Sequence, residues 1–184
     1  MKVLSAVAVR AAVLELLPAF ERQTGRVAVA AFDLNPAVRT RVKGGEQFDV
    51  VVINADMVDD LIRAGKVVAG SQRLLGRAGL GVAVRAGARK PELGTVEAFR
   101  RALLGAQSVA YAGEGSSGAH FTALLARLGI LEDVAPKLRS VGGGETGQVV
   151  ARGEAELGVV PVTTIMAAAS GAELAGMFRV GLQS

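Results

Sequence analysis

Residues 108–129, SVAYAGEGSSGAHFTALLARLG, pass from an apolar extended run through a small polar loop into an amphipathic helix. Val109 and Tyr111 are strand formers, and the Gly/Ser cluster behind them is a turn signal. Phe121, Leu124, Leu125 and Leu128 then recur at helical spacing, and Gly129 stands where a helix C-terminal glycine belongs. Ser116 or Ser117 can cap the helix, because a serine oxygen accepts from the free N–H groups of a first turn. The local reading is a plain capped helix. The functional reading is an anion site, since the unpaired N–H groups and the positive dipole end point the same way.

The chain repeats this device. Val3–Ser5 predicts a first strand and Ala8–Gln23 a helix, with Val9, Val13, Leu16 or Leu17, and Phe20 inward and Arg10, Glu15 and Arg22 facing water. Pro18 predicts a kink or an early break, for it lacks an N–H and its ring crowds the preceding turn. Val27–Phe32 is the second strand. Asn35 reads as the N-cap and Pro36 as the first residue of a short helix that stops at Gly44-Gly45. Phe48–Asn54, FDVVVIN, reads as a buried strand and Met57–Ala64 as a helix capped by Asp56. This alternation implies right-handed crossovers and a largely parallel sheet. Leu74–Arg85 is extended and glycine-interrupted, which suits a strand running between two lobes. The second half alternates again: helix Thr95–Leu104 capped by Thr95, strand and helix of the opening stretch, a short segment Leu131–Lys137, helix Glu145–Arg152, strand Leu157–Val162 and helix Thr163–Ala169.

Composition narrows the function classes. At 184 residues the chain is long enough for a real core, and 51% of it is apolar. No uncharged apolar run approaches the roughly 18 residues of a membrane span. Glycine is abundant and aromatics scarce, as in α/β folds with tight strand–helix junctions. The net charge of +4 is scattered along helices, which argues for solvated faces and against nucleic acid while favouring anionic ligands. Without cysteine there is no disulfide, thiolate nucleophile or zinc–thiolate site. No secretory leader is evident before the first strand, so the product as written is expected to be cytoplasmic, or periplasmic if a leader has been removed.

Four turns are expected at strand carboxyl ends: Ser5–Val9, Asp33–Ala37, Gly113–His120 and Gly142–Gly147. Ligands of α/β sheets settle outside those ends. No catalytic set emerges. Ser116 and Ser117 lie too near the single histidine, His120, along one helical turn to make a triad. The aspartates have no metal spacing, and Gly79 and Gly81 sit in strand-like sequence rather than at a dinucleotide turn. No catalytic residue, metal or cofactor is expected.

VLSAVAVRAAVLELLPAFERQTG, FDLNPAVRTRVKGGEQFDVVVINAD, LLGRAGLGVAVRAGA, SSGAHFTALLARLG and VVARGEAELGVVP follow one another in an order that resembles the type 2 periplasmic solute-binding proteins, within them the molybdate-binding group. The resemblance implies two α/β lobes joined by crossing strands, with an oxyanion in the cleft between them that is delivered to an ABC-type membrane permease. It implies lobe 1 at residues 1–75, lobe 2 at 76–162 and a C-terminal segment, 163–184, returning toward lobe 1. The binding positions it implies are Ala8 and Asn35, where the family has serines, main-chain donors at Ser117 and Gly143, and Pro161 in place of a tyrosine. Ser116, Gly118 and His120 complete the candidate ligand-binding set. Each donor lost from a desolvated oxyanion costs about 1–3 kcal/mol, so a carboxylate or another small anion becomes the expected ligand, with Asn35, Ser116, Ser117 and His120 as contacts. The chain ends at Ser184, where the family continues over lobe 1, so an apolar surface there is expected to be covered by a homodimer or strand exchange. The leading reading is a binding protein for a small anion without catalysis. The alternatives are a cytoplasmic effector-sensing module of the same fold and an enzyme using His120.

Overall fold

The computed structural model describes residues 1–167 and 171–178, and the chain divides into two units, Met1–Arg77 and Ala78–Ser184. In the first, β1 (Lys2–Ala6), β2 (Val29–Asp33) and β3 (Val50–Val52) form a sheet of order β2-β1-β3. Both pairings are parallel, with Ala6 opposite Asp33 and Ser5 opposite Val52. A 3-10 turn at Val7–Val9 leads into α1 (Arg10–Thr24), and α2 (Asn35–Lys43) and α3 (Ala55–Arg63) follow β2 and β3. Leu4, Val38, Val42 and Leu61 make the buried core, with Ala31, Phe48, Val51 and Ile53 against them.

Several expectations fail in this unit. Of the kink or early break expected at Pro18, the break is absent: α1 runs continuously from Arg10 to Thr24 with the proline inside it. None of α1's residues is buried, and Leu16 is 66% exposed, so the expected inward stripe is at best half-covered. FDVVVIN is not a buried strand: the order of the sheet puts β3 at an edge, and Val50 is exposed. A continuous apolar run cannot tell a central parallel strand from an edge one, because neighbours decide that. Asp56 is the second residue of α3, whose N-cap is Asn54.

The second unit holds β4 (Leu80–Arg85), α4 (Val96–Gly105), β5 (Val109–Tyr111), α5 (Ser116–Arg127), α6 (Leu131–Val134), β6 (Leu138–Ser140), α7 (Thr146–Ala151), β7 (Leu157–Pro161), α8 (Val162–Ala167) and β8 (Ala172–Met177). The sheet order is β6-β5-β7-β4-β8. β5 runs parallel to β6 and β7, whereas β4 is antiparallel to both β7 and β8. Leu74–Arg85 is therefore not one extended segment. Residues 71–79 are irregular with Leu74 and Leu75 exposed, and Leu80–Val84 are buried in the interior of the sheet. Of the C-terminal stretch, Ala172–Met177 pairs along β4. The expected end of the final helix at Ala169 lies outside the described residues.

Alternation along β4 separates two packing layers. Val82 and Val84 join Phe99, Leu103, Phe121, Leu124, Leu125 and Phe178 on one face, where Phe178 meets Phe99 edge-on at 4.8 Å. Ala83 turns to the other, with Val160 and Ile165. Thr95 caps α4 as expected, its Oγ1 accepting from the Ala98 N–H at 3.1 Å. Val96 stays exposed.

Candidate functional site

In each unit the parallel strands end together, so the turns that follow them gather at one end of that sheet. In the first unit these are the 3-10 turn after β1 and the starts of α2 and α3. Ala8 lies in the 3-10 turn, half-buried, and presents only a methyl. Asn35 is not the N-cap. Leu34 holds that position, and Asn35 is the first helical residue, followed by Pro36. Its Oδ1 accepts from the Asn54 N–H at 2.9 Å, which ties the two helix starts together. That bond fixes the amide so that its NH2 group remains a donor. Asp33 folds onto the same corner: its Oδ1 accepts from the Leu34 N–H at 2.8 Å, and Arg41 stands 3.7 Å from its Oδ2. One backbone donor of the turn is therefore spent.

Behind the corner, Arg41 and Lys2 clasp Glu46. Hydrogen bonds from Arg41 first, then Lys2, hold its carboxyl down to about 2 from the ordinary 4.5. Lys2 is fixed a second time, its backbone N–H donating to Asp49 Oδ2 at 2.6 Å. The opening of β1 is thus anchored to the loop before β3.

In the second unit the corners follow β5, β6 and β7, with Tyr111 opposite Ser140 and Val159. Gly115, in extended conformation, is the N-cap of α5, and neither serine caps it. Ser116, Ser117 and Gly118 are the first three helical residues, whose N–H groups have no acceptor within a helix. Ser116 Oγ is shut off from solvent and has no hydrogen-bond partner. Gly118 is buried because only a hydrogen fits: a Cβ there would lie 2.8 Å from the Ala112 carbonyl carbon and 3.0 Å from Gly113 Cα. The missing side chain lets the helix start pack directly against the strand end. His120 is the fifth residue of α5, in its second turn, because the helix begins earlier than the sequence implied. It is half-buried and, four residues on, shares a face with Ser116.

Gly143 is exposed in the turn before α7. Here a carboxylate has moved in, for Glu145 Oε2 accepts from the Gly142 N–H at 3.2 Å. Thr146 is fully buried with its Oγ1 unpartnered. Pro161 closes β7, and the N–H after it, on Val162, already donates to Gly79 at 2.9 Å. Sequence reasoning named Ser116 as a contact but missed Thr146 and the burial of both hydroxyls. Burial of a short hydroxyl depends on chain brought in from elsewhere, so no local signal exists. Among the described residues no three His, Asp or Glu side chains are grouped to hold a metal ion, and no helix is long and apolar enough to cross a membrane.

Residues 1–177 match the family described as bacterial extracellular solute-binding protein. The chain belongs to that family. This solute-binding protein is 34% identical over 171 residues to an aconitate isomerase of Pseudomonas sp, a match covering 90% of this chain. It spans 65% of that relative's length. Its fold recurs in the periplasmic molybdate-binding protein of Azotobacter vinelandii (TM-score 0.76, 23% identity, 92% of this chain and 75% of that one). It recurs also in the tungstate ABC transporter structure from Geobacter sulfurreducens (0.70, 17%, 97% and 81%). A third is the sulfate-binding protein SubI of Mycobacterium tuberculosis H37Rv (0.72, 16%, 95% and 69%). The solute-binding protein therefore has the type 2 periplasmic-binding architecture of the molybdate-binding kind, built as two α/β units.

Proposed function

We propose that this chain binds a small anion and hands it to an ABC-type permease, acting in the periplasm. The observation that carries the reading is Ser116 Oγ, hidden from solvent without a partner beside the unpaired N–H groups that open α5. A buried hydroxyl left unsatisfied costs about 1–3 kcal/mol, and a bound anion removes that cost. The strand ends of the first sheet carry a neutral donor of their own, the Asn35 NH2 group. The substituted positions Ala8 and Pro161, with no hydroxyl, favour a carboxylate over a tetrahedral oxyanion. A thermal-shift screen with molybdate, tungstate, sulfate, phosphate and small carboxylates tests it. A ligand at 100 times its dissociation constant adds about 2.7 kcal/mol, and Ser116→Ala must shrink that shift. No shift with any anion, or one untouched by Ser116→Ala, refutes the reading.

A second reading is favoured by the aconitate isomerase relative and by His120 on the face of Ser116. In it the chain interconverts isomers of a small unsaturated carboxylic acid, and the imidazole moves the proton. His120→Ala would then abolish turnover while leaving binding in place. The first unit leaves Leu14, Leu16, Val29 and Val50 exposed, and this apolar surface supports a homodimer.

A further inference from the structure

We infer that Arg10 makes the anion corner of the first unit a carboxylate site, selecting ligands that carry carboxylates at both ends of a short carbon skeleton. This rests on the small-anion reading above. The Arg10 guanidinium carbon lies 5.3 Å from the centroid of the Phe32 ring. Phe32 is opposite Ser5, one residue before the paired ends Ala6 and Asp33. Its neighbour Ala31 packs into the core beneath α2 and α3, so the ring stands on the other face of the sheet, where α1 begins. Stacking on an aromatic face holds a guanidinium without consuming its N–H donors, which lie in its plane and match a carboxylate two at a time.

Charge distribution sets Arg10 apart. Arg41 and Lys2 are neutralised by Glu46, and Arg41 by Asp33 as well. Among the described residues no acidic side chain pairs with Arg10. It is an exposed, oriented cation at the strand ends, lacking the counter-charge that its neighbours have.

Spacing then selects the ligand. Asn35 follows Phe32 by three residues, which at about 3.3 Å per extended residue puts their Cα atoms on the order of 10 Å apart. A compact tetrahedral oxyanion is too short to reach both. A di- or tricarboxylate places one carboxylate on the Arg10 fork and another on the Asn35 NH2 group. Ala8, two residues before Arg10, offers a methyl that suits the carbon skeleton.

The test is calorimetric titration of the full chain with trans-aconitate, tricarballylate, sulfate and molybdate, using Arg10→Gln, Arg10→Lys and, for the same charge change at the far end of α1, Arg22→Gln. Losing a charge-assisted pair predicts that Arg10→Gln weakens the tricarboxylates roughly 10- to 100-fold and the inorganic anions less than about threefold. Arg10→Lys falls between, since an ammonium has no fork, and Arg22→Gln matches wild type. Equal losses for all four anions, or unchanged tricarboxylate affinity, overturn the inference. Binding of sulfate or molybdate without tricarboxylates overturns it too, yet spares the small-anion reading. No binding of any anion by wild type overturns both.

Discussion

Replacing Gly118 with alanine sets helix propensity against packing. The new methyl would stand 2.8 Å from the Ala112 carbonyl carbon and 3.0 Å from Gly113 Cα, and nearer still to the Ala112 oxygen. Carbon atoms rest at about 3.5–4.0 Å, so the start of α5 or the end of β5 must retreat by roughly 1 Å. Every clashing atom is backbone, and no rotamer change relieves it. Alanine gains about 0.8–1 kcal/mol over glycine inside a helix, while overpacking costs about 1–3 kcal/mol. With rigid neighbours the upper half of that range applies, for a net loss of about 1–2 kcal/mol. At Gly105, the last residue of α4, an added methyl would meet nothing within 4 Å, so Gly105→Ala should be neutral or gain up to about 1 kcal/mol. Urea unfolding reads both variants. Tyr111 is the chain's single tyrosine and there is no tryptophan, so intrinsic fluorescence reports the β5 end directly. Gly118→Ala unfolding at or above the wild-type midpoint would refute the close-packing argument. The same variant should also reduce any ligand-induced thermal shift, since the opened corner no longer aims its N–H groups.

Two further outcomes are expected. Glu46 has its folded pKa lowered to about 2, by Arg41 first and Lys2 second, so the stability it contributes is complete above its ordinary value of 4.5 and disappears as pH falls through about 2. Thermal melts of wild type and Glu46→Gln should therefore converge between pH 4.5 and 2, and a constant gap across that range would contradict the clasp. If the apolar side chains exposed on the first unit mediate self-association, light scattering at micromolar concentration gives a dimer and Leu16→Glu gives a monomer. A wild-type monomer removes the dimer proposal.

Local chemistry made the strand-to-helix corners legible. An apolar run followed by Gly/Ser or by Asn-Pro turns the chain wherever it stands, so β1, β2, β5 and the helices after them lie close to where the sequence implies. Capping was read less well. Thr95 caps α4, but Asn35, Asp56 and Ser116 each sit one or two residues inside their helices, because Leu34, Asn54 and Gly115 adopt the cap geometry instead. The parallel pairing of β1 with β2 and β3 followed from the alternation, but other long-range pairings were not legible. Nothing within LGVAVR says that β4 runs antiparallel between β7 and β8, and nothing near Asn35 says that Asn54 takes its oxygen. Arg10 was read as facing water; its position over Phe32 depends on β2 having returned beside β1.

β4 gains its outer neighbour only through pairs such as Arg85 with Ala172 and Gly81 with Met177. Translation therefore delivers one rim of this strand long before the segment that seals it. Until then its amides and carbonyls stand open to any passing extended chain. The nascent polypeptide is most prone to aggregate in that interval, and a holdase shielding β4 would be most useful to it then.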